Sequence, residues 1–299
     1  MASIRSRFIK QLVKHRIGRT LRAEVPVEQQ RKELEQLSLI SVVSPTTKIR
    51  EVLAPNCPAE WVTHRNARSS HAILFLHGGG FNTGSPKTHR LLTERLSALC
   101  EAVVLVPDYR LAPEHPFPAA VNDTTAAYNW LVGRGFKEEN IALVGDSAGG
   151  GLVMSTLLKL QQNNRRLPSA AVCISPWVDL TMQGESLVKN EKHDIMLNRE
   201  WMSLMASQYA QDKLADPLCS PLFAELKDLP PIMIQVSDNE ILLDDAQALS
   251  EAIKKNGGEV VLEVWRKMWH VWPLFVRWMP EANVAAEHAA SFITRYWKN

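Results

Sequence analysis

A five-residue segment in the middle of the chain has the composition of a nucleophilic turn. Gly145-Asp146-Ser147-Ala148-Gly149 follows a short apolar run and precedes a stretch compatible with a helix. A serine at such a strand-to-helix turn is lifted above the sheet, and the flanking glycines tolerate the close approach of the strand and the helix. We therefore predict that Ser147 is a nucleophile.

A glycine-rich segment earlier in the chain could stabilise negative charge. His77-Gly78-Gly79-Gly80-Phe81 follows the first strongly apolar run, and its missing side chains allow backbone amides to converge on a small anion. We expect the N–H groups of Gly79, Gly80 and Ala148 to receive the oxyanion that forms in acyl transfer. The G-K-[ST] signature of a phosphate-binding loop is absent.

A serine hydroxyl needs a base to remove its proton and a third group to orient that base. Nine histidines are available, and His270 is the one that follows the last apolar run, late in the chain. This position fits the order nucleophile, acid, histidine that accompanies a strand-to-helix nucleophile. We predict that His270 is the base.

The acid is expected in the turn that follows the apolar run 232–236, where four carboxylates occur at Asp238, Glu240, Asp244 and Asp245. Asp244 and Asp245 stand where the next helix should begin, so we expect them to interact with its dipole. The residues alone leave Asp238 and Glu240 as alternatives.

Short apolar runs that alternate with helical stretches must position these groups. The runs, which predict strands buried on both faces of a mostly parallel sheet, are 72–76, 102–106, 141–144, 170–174, 232–236 and 260–264. Residues 1–45 and about 183–215 do not join the alternation. We predict that they form a helical cap over the sheet's carboxyl edge, on a catalytic domain of residues 46–299.

The composition restricts the class of protein. The net charge of +2 is too balanced to suggest nucleic-acid binding, and 45% hydrophobic residues suit one sizeable core. The four cysteines are scattered, without the spacing of a metal site or a disulfide framework. We therefore expect neither a metal site nor disulfide bonds. The possibility that the protein is a homodimer stays open.

Residues 1–22 contain seven basic residues and no acidic one, a pattern that could attract an anionic membrane surface. We favour instead a cationic amphipathic helix whose apolar stripe, Ile4, Phe8, Leu12 and Ile17, packs on the protein. The segment lacks the apolar stretch of a secretory signal, and no run reaches the length of a membrane span. We expect a soluble, cytoplasmic protein without membrane association.

Four motifs occur here in the order of one known family. They are His77-Gly78-Gly79-Gly80, Asp108-Tyr109-Arg110-Leu111-Ala112-Pro113-Glu114, Gly145-Asp146-Ser147-Ala148-Gly149-Gly150 and Asp216-Pro217-Leu218-Cys219-Ser220-Pro221. From about residue 70 to its end, the chain resembles the bacterial hormone-sensitive lipase family of esterases, which have the α/β-hydrolase fold with a central, mostly parallel sheet flanked by helices.

The resemblance implies a serine carboxylesterase for short to medium acyl chains that needs no cofactor. In this family the acid usually stands first in Asp-Pro-Leu-x-Asp, and the matching segment here, Glu240-Ile241-Leu242-Leu243-Asp244, selects Glu240 over Asp238. The resemblance also implies that Phe81 and the cap bound the substrate pocket, and that Asp108, Arg110 and Glu114 support the glycine loop. Two alternatives stay open, an amidase or deacetylase with the same triad and a catalytically silent small-ligand receptor.

Overall fold

A computed structural model describes residues 3–38 and 42–298 of the chain. Within them, a single eight-stranded sheet runs in the spatial order β1-β2-β4-β3-β5-β6-β7-β8. The strands are β1 Thr47–Ala54, β2 Cys57–His64, β3 Arg68–Leu76, β4 Ala102–Pro107, β5 Ile141–Asp146, β6 Ala170–Ile174, β7 Ile232–Ser237 and β8 Val260–Trp265. The six predicted apolar runs are confirmed as the strands β3 to β8. The prediction of burial on both faces is wrong for β8, whose residues are half-buried or exposed because it lies at an edge of the sheet.

Helices flank the sheet, as predicted for strands buried on both faces. They are α1 Ile4–Thr20, α2 Val27–Ser38, α3 Arg90–Leu99, α4 Ala119–Gly133, α5 Ala148–Gln162, α6 Ser186–Lys189, α7 Arg199–Ala210, α8 Leu243–Lys255 and α9 Pro280–Arg295. α3 packs with α9, and α4 packs with α5. Every residue of β4, β5, β6 and β7 is buried, because the helices exclude water from both sides of these strands.

The hairpin β1–β2 was not predicted from the sequence. β1 pairs antiparallel with β2, and β2 pairs antiparallel with β4. Half-exposed and charged residues make β1 a weak strand signal, with an irregular burial pattern. The available signal was Pro55-Asn56, which separates the strands. Asn56 has a φ of 72°, and Pro followed by Asn with positive φ is the composition of a type II turn.

Helix α1 turns a different face to the protein from the one predicted. Ile4, Phe8 and Leu12 are 84%, 67% and 51% exposed, whereas Ser6, Val13 and Thr20 are buried. The prediction of an inward-facing stripe is therefore wrong for Ile4, Phe8 and Leu12, although Ile17 is half-buried against the core. Small residues make the contact possible, since a Cβ added at Gly18 would stand 2.2 Å from the carbonyl oxygen of Ile195.

Neither predicted cap stretch contains a strand among the described residues. The first, 1–45, contains α1 and α2, and the second, about 183–215, contains α6 and α7. The two stretches contact each other directly. The indole N–H of Trp201 in α7 donates to Oε1 of Gln30 in α2 at 2.8 Å. The predicted domain boundaries at residue 45 and at 183–215 stay predictions.

Candidate active site

Ser147 lies at the turn between β5 and α5, in a backbone conformation that residues other than glycine rarely adopt. Its φ is 54° and its ψ is −123°. The helix crosses so close to β3 that a Cβ added at Gly149 would stand 2.0 Å from the carbonyl oxygen of Leu76. A glycine is therefore required two residues after the serine, and the turn projects the hydroxyl from the carboxyl end of β5.

Ser147, His270 and Glu240 form one continuous line of hydrogen bonds. The distance from Ser147 Oγ to His270 Nε2 is 2.9 Å, and the distance from His270 Nδ1 to Glu240 Oε2 is 2.7 Å. Glu240 and His270 are buried, and Ser147 is 7% exposed. The three residues follow β5, β7 and β8, so parallel strands bring distant parts of the chain to one edge. The arrangement can remove the serine proton and stabilise the resulting imidazolium.

The two carboxylates that the sequence left open have different partners. Oε1 of Glu240 accepts hydrogen bonds from the Ser237 N–H at 2.7 Å and from the Ser175 hydroxyl at 2.9 Å, which leaves Oε2 for His270. Oδ1 of Asp238 instead accepts from the Lys267 N–H at 2.7 Å. The structure thus brings Glu240 to the histidine and uses Asp238 to hold the loop that carries it.

Asp244 and Asp245 occupy the first turn of α8, as expected. Their carboxylates also bind loops: Asp244 accepts the Ser186 N–H at 2.8 Å, and Asp245 accepts the N–H groups of Val178 and Asp179 at 2.9 Å each. Burial raises the pKa of Asp245 to about 7. Neither residue contacts the histidine, so both serve the loops around the site.

Glu240 changes the basicity of His270. Burial by itself lowers the pKa of His270, because a buried imidazolium loses its hydration. The hydrogen bond to Glu240 and the charge of its carboxylate outweigh burial, so the pKa is raised above its ordinary value. The imidazole of His270 is thereby a stronger base than an ordinary histidine side chain.

The glycine loop and the residue after Ser147 carry three backbone N–H groups without a described partner. Among the residues that the structure describes, the N–H groups of Gly79, Gly80 and Ala148 donate to no acceptor of the protein. The loop depends on the φ of +124° at Gly79, where a Cβ would stand 2.2 Å from the Thr83 carbonyl oxygen. Unpaired donors next to a nucleophile can bind the oxygen that becomes negative in acyl transfer.

Asp146 connects the glycine loop to the serine turn. Its Oδ1 accepts the Gly78 N–H at 3.0 Å, and the buried His89 lies 3.1 Å from the same oxygen. Burial by itself lowers the pKa of His89, but the charge of Asp146 outweighs burial and the pKa is raised. From the sequence, His89 is predicted to be a structural or solvated histidine, without a link to Asp146. The sequence offers no direct signal for it, since His89 is 57 residues from Asp146.

Ser175 was also missed, although it lies at the carboxyl end of β6. Its hydroxyl donates to Glu240 at 2.9 Å and accepts the Val271 N–H at 3.2 Å. The available signal was positional, because Ser175 follows a buried strand at the edge where the other functional groups lie. Ser175 holds both the carboxylate and the loop of His270.

The structure does not bring Phe81 to the cavity that contains the serine. Phe81 is 1% exposed and stacks on Tyr209, with 3.9 Å between the ring centroids. The cavity wall near the glycine loop is formed instead by Trp201, whose ring lies close enough to contact a Cβ added at Gly80. Burial under α7 explains the difference, since the α7 side chain Tyr209 covers the ring of Phe81.

Arg31 of α2 attaches the amino-terminal helices to the glycine loop. Its guanidinium donates to the carbonyl oxygens of Asn82 and Ala112, at 2.7 and 2.8 Å, and pairs with Glu114 at 2.7 Å. The hydrogen bond from Arg31 lowers the pKa of Glu114 to about 2. Arg110 pairs instead with Asp123, and no side-chain hydrogen bond joins Asp108 to the described loop. Of the three expected supporting residues, Glu114 is the one linked to the loop region.

One large cavity of about 1660 Å³ contains Ser147 and His270. It extends from the glycine loop to α1 and α2, and its lining is mostly apolar. Within the described residues, no cluster of His, Cys, Asp and Glu has the arrangement of a metal site. The described helices include none with both the length and the apolar character needed to cross a bilayer.

Comparisons with known proteins agree on one family. A family model described as the α/β-hydrolase fold matches residues 73–274. An acetyl-hydrolase of Streptomyces hygroscopicus is 43% identical over 244 residues, which cover 81% of each chain. Among solved structures, an esterase from the bacterial hormone-sensitive lipase family superposes with a TM-score of 0.95 at 37% identity over 100% of both chains. The esterase EstE5, whose crystal was soaked with p-nitrophenyl butyrate, gives 0.93 at 37% identity over 99% of both.

Proposed function

Because this chain belongs to the bacterial hormone-sensitive lipase family of α/β-hydrolases and is a carboxylic ester hydrolase, we propose that it cleaves esters of short to medium acyl chain with Ser147, His270 and Glu240 as its catalytic triad. The observation that carries this proposal is the unbroken line of hydrogen bonds, 2.9 and 2.7 Å long, from the serine through the histidine to the carboxylate.

In the first half-reaction, Ser147 Oγ attacks the ester carbonyl carbon while His270 Nε2 takes the hydroxyl proton. The carbonyl oxygen becomes negative and binds the N–H groups of Gly79, Gly80 and Ala148. The tetrahedral intermediate then expels the alcohol, which takes the proton from His270, and the acyl group stays on Ser147. Glu240 stabilises the imidazolium and keeps a proton on Nδ1 throughout.

In the second half-reaction, a water molecule replaces the alcohol. His270 removes a proton from the water, whose oxygen attacks the acyl carbon and regenerates the same oxyanion. Collapse of this intermediate breaks the bond to Ser147 and returns the proton to its oxygen. The products are a carboxylic acid and an alcohol, and the residues of the site supply every proton transfer.

The proposed acyl range rests on the cavity and on the relatives. An apolar cavity beside Ser147 suits the hydrocarbon part of an ester. The acetyl-hydrolase acts, by its name, on a short acyl group, and EstE5 was soaked with a butyrate ester. Both support short to medium chains for this enzyme.

A series of p-nitrophenyl esters, from acetate to palmitate, tests the proposal on the purified chain and on a Ser147→Ala control. We expect kcat/KM to be highest between butyrate and octanoate and to be lost in the control. Equal rates for the two proteins would refute the assignment of the nucleophile. A matched ester and anilide of butyric acid tests the amidase alternative, and faster cleavage of the anilide would replace the esterase proposal.

A further inference from the structure

The cavity that contains Ser147 extends to the exposed side of α1. Ile4, Phe8 and Leu12 line this cavity and are also more than half exposed. A spacing of four residues places the three side chains on one side of the helix. Exposed large apolar side chains at the mouth of a cavity mark a surface that another apolar phase can cover. We call Ile4, Phe8 and Leu12, with the basic residues beside them, the mouth face.

The basic residues of the mouth face are Arg5, Arg16 and Arg19, which line the same cavity and are exposed. None of the three forms an ion pair with a described residue. The cavity lining contains two carboxylates, Glu33 and Asp146, and Asp146 is buried beside Ser147. The mouth face therefore has a local excess of positive charge.

The rest of the molecule has the opposite charge. Residues 1–22 carry seven basic and no acidic residues, whereas the whole chain has a net charge of +2, so the remainder is net acidic. Such a charge separation turns the protein, near an anionic surface, so that α1 faces that surface. The cavity mouth then faces it as well.

The exposure of Ile4, Phe8 and Leu12 removes the basis for expecting no membrane association. We propose instead that the mouth face docks on an anionic lipid–water interface and that esters in this interface enter the cavity directly. This proposal rests on the function proposed for Ser147. Interleaved basic and large apolar side chains match both components of such an interface, because the cations pair with the headgroups and the apolar groups enter the acyl boundary. A second copy of the chain fits less well, since a symmetric contact would oppose two faces of like charge.

Binding to vesicles tests this proposal without turnover. Ether-linked lipids cannot be cleaved as esters, so sedimentation with vesicles of ether-linked phosphatidylglycerol and phosphatidylcholine measures docking alone. We expect the full chain to bind these vesicles and to bind pure ether-linked phosphatidylcholine far more weakly. About 1 M salt should release it, because the screening length falls to about 3 Å.

A pair of variants with equal charge tests whether the mouth face makes the contact. Arg16→Gln/Arg19→Gln removes two cations from this face, and Arg7→Gln/Lys14→Gln removes two exposed cations from the other side of α1. Each basic residue near an anionic surface contributes about fivefold in binding, so the first variant should bind about 25-fold more weakly. The second should retain most of the binding. Thermal unfolding checks that both variants are folded.

Phe8→Ser tests the apolar component against Leu53→Ser, which alters another exposed apolar side chain outside the mouth face. We expect roughly tenfold weaker binding for the first and no change for the second. Equal losses from the two charge variants, or no binding by the full chain, would overturn the proposal. So would a dimer, detected by sedimentation velocity, that Phe8→Ser dissociates. Because no assay here needs turnover, an inactive enzyme that still docks would count against the proposed function alone.

Discussion

Replacing Glu240 by Gln should inactivate the enzyme through the tautomer of His270. Oε1 of Glu240 accepts the Ser237 N–H at 2.7 Å, and a backbone N–H cannot become an acceptor. The amide oxygen of the substituted glutamine must therefore occupy the Oε1 position. Its NH₂ group then lies where Oε2 now stands, 2.7 Å from His270 Nδ1, and donates to that nitrogen. The imidazole proton moves to Nε2, so the lone pair that should accept the Ser147 proton is lost.

The magnitude follows from the role proposed for Glu240, which is to orient His270 and to stabilise its imidazolium form. An acid-to-amide change of this kind in a Ser-His-Asp triad lowers kcat by about 10,000-fold. That loss corresponds to about 5 kcal/mol of transition-state stabilisation. The shape of the site is preserved, so KM should change much less. Initial rates with p-nitrophenyl butyrate over a range of concentrations separate the two parameters.

Asp238→Asn is the matched control, since it removes the same charge two residues away. Oδ1 of Asp238 accepts one loop N–H, that of Lys267, and the substituted amide oxygen can accept it too. We expect kcat within a few-fold of the unmodified enzyme. If Glu240→Gln kept more than a tenth of the activity, or if Asp238→Asn abolished it, the assignment of the acid would be wrong.

The pH profile and two further substitutions extend the test. His270 acts as a base only when neutral, and its pKa is raised, so kcat/KM for a soluble ester should rise with pH with a midpoint above about 6.5. A midpoint below that value would contradict the role of Glu240. Gly79→Ala should lower kcat by about 100-fold or more, because the added Cβ displaces the N–H donors of the glycine loop. Gly135→Ala is the control and should leave kcat unchanged, since Gly135 also has a positive φ but a Cβ there would have no neighbour within 4 Å. His89→Gln should cost about 1–3 kcal/mol of unfolding free energy in mild acid. The pKa of His89 is raised in the folded protein, so this stabilisation is present below the pKa of the unfolded state and is lost as pH rises through the pKa of the folded state. Urea unfolding should therefore show that the difference in unfolding free energy between the two proteins becomes smaller in alkali.

The strands β3 to β8, and the placement of Ser147 and His270 at one edge of the sheet, were predictable because local patterns determine them. Continuous apolar runs identified β3 to β8, and the glycines around Ser147 identified the turn whose close contact with β3 requires them. His270 followed from its position after the last run. The acid did not follow from the residues, since Asp238 and Glu240 differ in the partners that the folded loop gives them.

The predictions for Phe81 and α1 failed because they depend on contacts between elements that are distant in the sequence. Phe81 has the composition of a pocket residue, but its stacking on Tyr209 of α7 depends on how the helices pack. For α1, the sequence does place Ile4, Phe8 and Leu12 on one side of the helix, but that side faces outward and not toward the protein. The buried side of α1 is set by the close approach at Gly18, and no helical pattern of hydrophobicity encodes that approach.

The position of His270 relative to the sheet has a consequence for local unfolding. Neighbouring strands lie about 4.8 Å apart, so β5 and β8 are separated by about 14 Å, yet the side chains that follow them meet at 2.9 Å. The histidine loop leans back over β7 and β6, and each of these strands fastens it: Glu240 follows β7, and Ser175, which accepts the Val271 N–H, follows β6. β8 is one of the two edge strands of the described sheet, and an edge strand has hydrogen-bonded neighbours on one side only, which favours local opening. A transient opening of β8 would therefore leave the histidine loop attached to the inner strands through Glu240 and Ser175.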